Sequence, residues 1–366
     1  MKSYTITCHD VYNYGASLQA YSLQRYLASR GIDNEIIDYK PDYLSHHFSL
    51  WGCSHPLYKK PLLSQLYSIY NLPRRVSSLK KKRLFDLFTK NYLVLTPETY
   101  QSNEALKNAN LSADIYIAGS DQIWNTLFKN GHDPAFYLDF VDKGLKISYA
   151  ASFATAKIFD DPEKKINNYL QRFDAISVRE KSALKILDEL GVSKYKLVVD
   201  PVFLLDKTKW LKLIESVPKN KKEYILLYDC ERSNELREIA IFTARKLKMP
   251  IYCIGCTSRK KYWHKDLRNS GPLEFLRYVR DAHFVITNSF HATAFSVIFQ
   301  KNFFICNRTS GINSRLKDFL DIIGLSDRLI SKPEDIIFKS INFSLPNNKI
   351  KKLIEESAAF ITHNFK

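Results

Sequence analysis

A single histidine, His291, lies among hydrogen-bonding side chains between two apolar runs. The first run, residues 284–286, is strand-like, and the second, residues 292–299, is helix-like. The polar residues between the two runs are Thr287, Asn288, Ser289 and His291. A helix N-terminus presents unpaired N–H groups that favour an anion, and histidine is the side chain best suited to move a proton near neutral pH. Asn288 or Ser289 suits the N-cap. The pattern indicates either a catalytic histidine beside an anion or a structural histidine behind a capping residue.

A second polar segment, N-Y-G-A-S at residues 13–17, follows the first strand-like run and begins the first helical pattern. Gly15 lets the backbone approach a ligand closely, and Asn13 or Ser17 suits the N-cap. We place Asn13, Tyr14 and Gly15 among the candidate ligand-binding residues. The segment is neither a dinucleotide-binding G-x-G-x-x-G nor a phosphate-binding G-x-x-x-x-G-K. A plain strand-to-helix turn explains it equally well.

Two more strand-like runs are followed by polar groups. After residue 118 come Ser120, Asp121, Gln122 and Trp124, an assortment that is costly to bury without partners. Hydroxyl, carboxylate, amide and indole groups together are typical of a sugar site. In S-V-R-E at residues 177–180, Arg179 is able to hold a carboxylate or a phosphate through two parallel hydrogen bonds. The alternative for Arg179 is a structural ion pair with Glu180 or Asp200.

The elements that must position these residues are short strands alternating with helices. The predicted strands are residues 4–8, 35–39, 114–118, 146–150, 175–178, 197–199, 224–228, 251–254, 284–287 and 303–305. Helical patterns include residues 17–27 and 234–248. Such alternation predicts an α/β fold of mostly parallel sheets. We expect two Rossmann-like domains facing a cleft, over residues 1–210 and 220–366, with a helical insertion around 40–110 and a last helix that packs back on the first domain. Ligands bind at the carboxyl ends of such strands.

Composition limits the partners. The 366 residues include 55 basic and 38 acidic side chains, a net charge of +17, which favours anionic ligands or an anionic membrane surface. No motif supports nucleic acid, and no apolar run approaches the roughly 20 residues that span a bilayer. His9 and Asp10 interrupt any signal-peptide core, so we expect a cytoplasmic protein, peripheral at the inner membrane face. One C-x-x-C pair at 253 and 256, without a second pair, predicts no metal site.

Seven motifs in series resemble the polysaccharide pyruvyl transferase family. They are N-Y-G-A-S-L-Q-A-Y at 13–21, G-S-D-Q-I-W-N at 119–125, Y-A-A-S-F at 149–153, S-V-R-E at 177–180, V-D-P-V-F-L-L at 199–205, N-S-F-H-A at 288–292 and N-S-R at 313–315. The resemblance implies the two-domain architecture of type B glycosyltransferases. It implies transfer of pyruvyl from phosphoenolpyruvate, as donor substrate and without a cofactor, onto sugar hydroxyls as a ketal. The acceptor would be a surface glycan or its lipid-linked precursor.

Carried over by motif, His291 resembles the family's active-site histidine, and Arg179 resembles an arginine that contacts phosphoenolpyruvate. Asn313 and Arg315 join the candidate substrate-binding residues. The chain departs from the family at Ser289, where many members carry an arginine in R-L-H. We expect the charge of that arginine to come from Arg179, Arg308 or Arg315.

Two other hypotheses stay open at this point. The first is a nucleotide-sugar glycosyltransferase on the same architecture, although the Glu-x7-Glu donor motif of such enzymes is missing after residue 280. The second is a glycan-binding protein without catalytic activity, which the loss of an arginine at position 289 permits. A fold by itself does not decide between these functions.

Overall fold

The first domain is built on a parallel sheet. The computed structural model describes residues 1–45, 61–161, 163–220, 222–255, 261–308 and 314–365. The strands are β1 (Lys2–Ile6), β2 (Asp33–Tyr39), β3 (Leu95–Tyr100), β4 (Ile115–Ala118) and β5 (Leu145–Ser148), in the order β3-β2-β1-β4-β5, and a further parallel pair is β6 (Ile176–Val178) with β7 (Tyr195–Leu197). The helices are α1 (Tyr14–Ser29), α2 (Pro61–Tyr92), α3 (Asn103–Lys107), α4 (Lys165–Leu170) and α5 (Lys181–Glu189), and short 3-10 turns occupy Lys129–His132, Pro134–Tyr137 and Pro201–Phe203.

The second domain repeats this plan. Its strands are β8 (Ile225–Tyr228), β9 (Ile251–Ile254), β10 (Lys265–Asp266), β11 (Phe284–Thr287) and β12 (Asn302–Ile305), all parallel and in the order β10-β9-β8-β11-β12. Its helices, with α6 at the start of the domain, are α6 (Lys207–Leu213), α7 (Asn234–Leu247), α8 (Pro272–Asp281), α9 (Phe290–Ile298), α10 (Ser314–Ile323) and α11 (Ser344–Asn364), and 3-10 turns lie at Ser326–Arg328 and Pro333–Asp335. The expected α/β fold of two Rossmann-like domains is confirmed.

Both sheets change direction at their centre. The chain first adds strands on one side of β1 or β8 and then crosses to the other side with β4 or β11. Such a reversal opens a crevice at the carboxyl ends of the central strands, where ligands bind in this class of fold. Strands β8 and β11 are buried along their whole length, as their continuous apolar runs predict for parallel strands. The loops after β1, β4, β8 and β11 are therefore the ones placed to form a site.

The last helix returns to the first domain. In α11 the Ser357 hydroxyl accepts a hydrogen bond from the buried Val199 N–H at 2.9 Å, and Ser357 itself is fully buried. Val199 directly precedes Asp200 and the 3-10 turn that follows it. The C-terminal helix thus fixes a segment that supplies one residue of the candidate site.

Within the region around 40–110, where composition predicts a helical insertion, residues 46–60 lie outside the described part of the chain. Helix α2 accounts for the helical part, but β3 joins the edge of the first sheet beside β2, with a register irregularity between Ile36 and Asp38. Pro97 lies inside β3, and proline in a strand is confined to edges and bulges because it cannot donate to the ladder. Within the described part of the chain, no helix combines the length and apolar character needed to span a membrane.

Candidate active site

His291 lies on the first turn of α9, where the chain passes from strand β11 into the helix. Ser289 is the N-cap, and its hydroxyl accepts a hydrogen bond from the Ala292 N–H at 3.4 Å. The Ser289 N–H in turn donates to the Thr287 hydroxyl at 3.0 Å. These bonds fix the turn and direct the imidazole inward, where only 7% of the residue is exposed. Of the two residues that the sequence offers as N-cap, Asn288 and Ser289, the helix uses Ser289.

The imidazole of His291 packs directly on the backbone of Gly15 at the start of α1. A Cβ atom added to Gly15 would lie 1.9 Å from Nδ1 and 2.3 Å from Cγ of His291. Asn13 caps this helix by accepting hydrogen bonds from the Gly15 and Ala16 N–H groups at 2.9 and 3.4 Å. The N-termini of α1 and α9 therefore meet across the two domains with the histidine between them. Two such termini create a positive potential that favours an anion.

A chain of charged groups continues from the other ring nitrogen. His291 Nε2 lies 3.5 Å from Asp200 Oδ2, a distance longer than an ordinary hydrogen bond. The same Asp200 oxygen accepts a hydrogen bond from Arg179, and Arg179 also donates to Asp121 Oδ1 at 2.7 Å. Asp200 caps the 3-10 turn after it by accepting the Val202 N–H at 3.1 Å. The carboxylate is thereby held in place facing the imidazole.

Arg179 is buried among the carboxylates of the cluster. Its side chain is only 1% exposed, and its guanidinium is already bound by Asp121 and Asp200. The ion pair with Asp200, which was the structural alternative, is present. In this structure the guanidinium supports Asp200 and Asp121, and direct contact of Arg179 with a donor stays a prediction.

Arg315 is the second buried cation of the cluster. Its guanidinium lies 3.6 Å from Asp121 Oδ1. With the Gln122 amide turned so that its oxygen faces Arg315, that oxygen accepts hydrogen bonds at 2.7 and 3.2 Å. The ring of Phe290 lies under both guanidinium groups, 5.0 Å from that of Arg179 and 5.7 Å from that of Arg315. Asp121, Gln122, Arg179, His291 and Arg315 are thus brought together from both domains.

The charges of this cluster act strongly on one another. Burial alone would raise the pKa of Asp200, but the charges of His291 and Arg179 hold it well below its ordinary value. Burial and the repulsion of Arg179 lower the pKa of Arg315 to about 10. Burial raises the pKa of Glu180, which lies beside Arg179. Asp121 also adopts a left-handed backbone conformation, with φ of 72°, and such strain is concentrated at functional sites.

Several buried polar atoms of the cluster have no hydrogen-bond partner among the described residues. They are Nε2 of His291, Nε of Arg179, Nε of Arg315 and Oε2 of Glu180. Buried polar groups are normally paired, so a group of orphans in one place calls for an explanation such as a bound ligand or water. His291 Nε2 faces Asp200 Oδ2 at 3.5 Å, and Arg179 Nε faces Glu180 Oε2 at 4.0 Å, both beyond an ordinary hydrogen bond. The described residues include no group of three or more His, Cys, Asp or Glu placed to hold a metal ion.

Other predicted residues serve the scaffold instead. Trp124 is fully buried, its indole N–H donates to the Phe136 carbonyl at 3.0 Å, and its ring stacks on Tyr137. This placement corrects the expectation of a sugar-binding face at Trp124, since the ring is enclosed by other aromatic side chains. Ser120 is likewise fully buried and donates to the Ala150 carbonyl at 2.8 Å.

The remaining candidate residues include both buried scaffold residues and an exposed one. Asn288 is fully buried and accepts a hydrogen bond from the Cys230 N–H at 2.9 Å, so it ties the ends of β8 and β11 together. Tyr14 is buried too: its hydroxyl donates to the Ser270 carbonyl at 3.2 Å, and its ring stacks on Phe275 of α8. Asn13 is exposed at the mouth of the cleft. Asn313 lies outside the described residues.

Asp200 is the residue that the sequence did not place in the site. It appeared only as a structural partner for Arg179. Its signal was present in V-D-P-V-F at 199–203, because an acidic residue before proline at the end of a strand suits a cap and therefore lies at the carboxyl edge of the sheet. Burial of this carboxylate against His291 and Arg179 changes it from a cap into part of the candidate active site.

The family of the chain follows from its motifs as a set. The model of the family described as polysaccharide pyruvyl transferase matches residues 13–310. The chain belongs to this family. The matched range contains Gly15, Asp121, Arg179, Asp200 and His291, while Arg315 lies just beyond it. No curated protein sequence matches the chain.

Solved structures show the same fold at low sequence identity. A UDP-GlcNAc 2-epimerase of Methanocaldococcus jannaschii, solved with UDP-GlcNAc and UDP, is 13% identical, with a TM-score of 0.51 over 97% of this chain and 100% of that one. A protein of Listeria monocytogenes described as a UDP-N-acetylglucosamine 2-epimerase is 10% identical, with a TM-score of 0.50 over 97% and 90%. These similarities support the two-domain fold of this pyruvyl transferase family member and no more.

Proposed function

We propose that this family member transfers the pyruvyl group of phosphoenolpyruvate onto two hydroxyls of a sugar in a surface glycan or its lipid-linked precursor. The observation that carries the proposal is the position of His291, with Nε2 facing the buried Asp200 carboxylate and its ring against the N-terminus of α1. A proton-transfer group at an anion-favouring crevice suits a donor that carries both a phosphate and a carboxylate. Family membership supports a transferase with a sugar acceptor.

Several steps of the reaction transfer a proton to or from a substrate. The methylene carbon C3 of phosphoenolpyruvate gains one proton, so that C2 becomes electrophilic and is attacked by the first sugar hydroxyl, which loses a proton. The C2–O bond to phosphate then breaks with its electron pair, and the second hydroxyl attacks C2 and loses its proton. The methyl group keeps one proton and the departing phosphate takes the other. The products are the ketal and inorganic phosphate.

His291 and Asp200 are suited to these transfers as a pair. A carboxylate behind an imidazole fixes the ring and stabilises the imidazolium that forms when the ring accepts a proton. With Nε2 toward Asp200, Nδ1 is the nitrogen toward the start of α1 and the ligand. Contacts of this kind are often long without substrate and tighten in the reacting complex, so a separation of 3.5 Å is compatible with the role.

Arg179 and Arg315 have different roles in the proposed reaction. Arg179 is a positioning residue, since its two hydrogen bonds hold Asp200 and Asp121. Arg315 is the better candidate for direct contact with the donor carboxylate. Burial and the nearby Arg179 disfavour its charge, and a bound anion would relieve both effects. Arg315 also keeps an Nε that no described residue binds.

Ligand binding separates this proposal from a nucleotide-sugar enzyme. We expect calorimetry to show saturable binding of phosphoenolpyruvate and none of UDP-GlcNAc, the ligand of the Methanocaldococcus epimerase. Tight UDP-GlcNAc binding without phosphoenolpyruvate binding would overturn the proposal in favour of a glycosyltransferase. Sugar binding alone would favour a glycan-binding protein without activity. Contact with an anionic membrane stays a prediction, checked by sedimentation with anionic vesicles at varied salt.

A further inference from the structure

Lys81 of α2 places an ammonium group over the start of α1. Its Nζ lies 5.0 Å from the ring centroid of Tyr14 and 5.4 Å from that of Phe85. No carboxylate of the described residues lies within the 4.0 Å of an ion pair from this nitrogen, whereas the neighbouring Lys82 is paired with Asp86 at 2.6 Å. Lys81 is partly buried, and burial lowers the pKa of its ammonium. It is therefore a partly buried cation with no acidic partner among the described residues.

The segment of α2 around Lys81 is fixed to both domains. The Tyr12 hydroxyl donates to Asp86 at 2.8 Å in the first domain. In the second domain Leu84 packs on Gly271 at the start of α8, so closely that a Cβ atom on this glycine would lie 2.6 Å from the Leu84 Cβ. These contacts hold the ammonium at a defined position between the domains.

This position adjoins the cleft that contains His291. Tyr14, under the ammonium, is followed by Gly15, on which the imidazole packs. The Tyr14 ring also contacts that of Tyr228 at 5.7 Å, and Cys230, two residues further along, donates its N–H to Asn288 beside the N-cap of α9. Lys81 thus lies over the start of α1, against which the Nδ1 side of the imidazole packs, whereas Asp200 lies at Nε2.

The arginine cluster alone has little positive charge to offer a donor. Arg179 and Arg315 face the carboxylates of Asp121 and Asp200, whose pKa values are both held below the ordinary range. The charges of these two arginines are therefore opposed by carboxylates of the protein, which weakens their attraction for a ligand with both a carboxylate and a doubly charged phosphate. A lysine is a compact point charge well suited to phosphate. A further cation would strengthen the binding of such a ligand, and no carboxylate of the described residues forms an ion pair with Lys81.

We infer that Lys81 binds the phosphate group of the donor, on the opposite side of His291 from the arginines. The inference rests on the proposed function and deepens it, because it divides the donor between two groups of cations. The phosphate lies at Lys81 and the N-termini of α1 and α9, and the carboxylate lies toward Arg315. Lys81, in the helical insertion of the first domain, then supplies the positive charge that many family members supply with an arginine at position 289.

Calorimetry with three probes tests the inference on the full chain. Lys81→Met is expected to weaken phosphoenolpyruvate binding by about tenfold or more, which corresponds to about 1.4 kcal/mol. It should weaken inorganic phosphate in parallel and change pyruvate, which lacks phosphate, by less than about twofold. Lys81→Arg should restore most of the affinity. The matched control is Lys80→Met, because Lys80 is exposed on the same helix and its loss changes the net charge equally.

The outcomes distinguish a failure of the proposed function from a failure of the role of Lys81. If the wild-type chain binds no phosphoenolpyruvate, the proposed function falls. If the wild-type chain binds it and Lys81→Met binds it equally well, only the role of Lys81 is refuted. A fall in the melting temperature of Lys81→Met with unchanged affinity would make Lys81 a structural cation–π contact and would also overturn the inference. Should Lys81→Met give little folded protein, Lys81→Gln replaces it as the neutral variant.

Discussion

Gly15→Ala is the sharpest test of the geometry at His291. The new methyl group would lie 1.9 Å from Nδ1, 2.3 Å from Cγ and 2.5 Å from Cε1 of the ring. Ordinary contact begins at 3.4 Å, so the imidazole has to move by about 1.5 Å. A misplacement of about 1 Å can cost an enzyme about 100-fold in rate. We therefore expect kcat to fall by about 100-fold or more, with a loss of about 1–3 kcal/mol in stability from overpacking.

The assay is phosphate release from phosphoenolpyruvate in the presence of an acceptor, with the melting temperature measured on the same samples. Ser102→Ala is the control for a general loss of stability. It removes the N-cap of α3, whose hydroxyl accepts the Ala105 N–H at 3.1 Å, and should cost about 1 kcal/mol while leaving kcat unchanged. If Gly15→Ala keeps a kcat within about twofold of the wild type, the imidazole is not held against α1 in the active enzyme and the reasoning is refuted.

Three further changes test other parts of the cluster. Asp200→Asn removes the charge behind His291 and should lower kcat by about 100-fold or more with a smaller change in KM; an unchanged pH–rate profile and rate would exclude the pairing. The pKa of Glu180 is raised in the folded state, so the unfolded chain ionises first as pH rises. The folded state therefore loses relative stability between the two pKa values. Glu180→Gln should raise the melting temperature more at pH 7 than at about pH 4.5, and the reverse order would contradict this. Ser357→Ala leaves the buried Val199 N–H unpaired and should cost about 1–3 kcal/mol in chemical denaturation, whereas a loss below about 0.5 kcal/mol would show that α11 does not hold the Asp200 segment.

The sequence predicts most of the framework, because continuous apolar runs followed by polar turns are strong signals. Strands β9 and β11 lie where the pattern places them, and most of the others differ by one or two residues. Two strands are missing from the prediction: the two-residue β10 and β3, whose Pro97 and exposed side chains hide an edge strand. Its pairing with β2 is a tertiary contact that local pattern does not encode.

The sequence identifies some residues of the cluster but not all of them, and it does not give their connections. Residues at the carboxyl ends of parallel strands converge, so Asp121, Arg179 and His291 were expected together. Pattern does not tell which polar groups face inward. Trp124 and Ser120 are used by the scaffold, and Asp200 is used by the site. The close contact of His291 with Gly15 joins residues 276 positions apart in the chain, and only the docking of the two domains reveals it.

The most direct test of the central claim is a product analysis with wild type and His291→Asn. Phosphoenolpyruvate is incubated with each protein and a panel of hexosides and lipid-linked glycans, and mass spectrometry and phosphate release are measured together. The account predicts a glycan heavier by one pyruvyl group, with one phosphate released per product, from wild type only, although His291→Asn still binds phosphoenolpyruvate. Product from His291→Asn at a rate within about tenfold of wild type would contradict the assignment of His291 as the proton-transfer group.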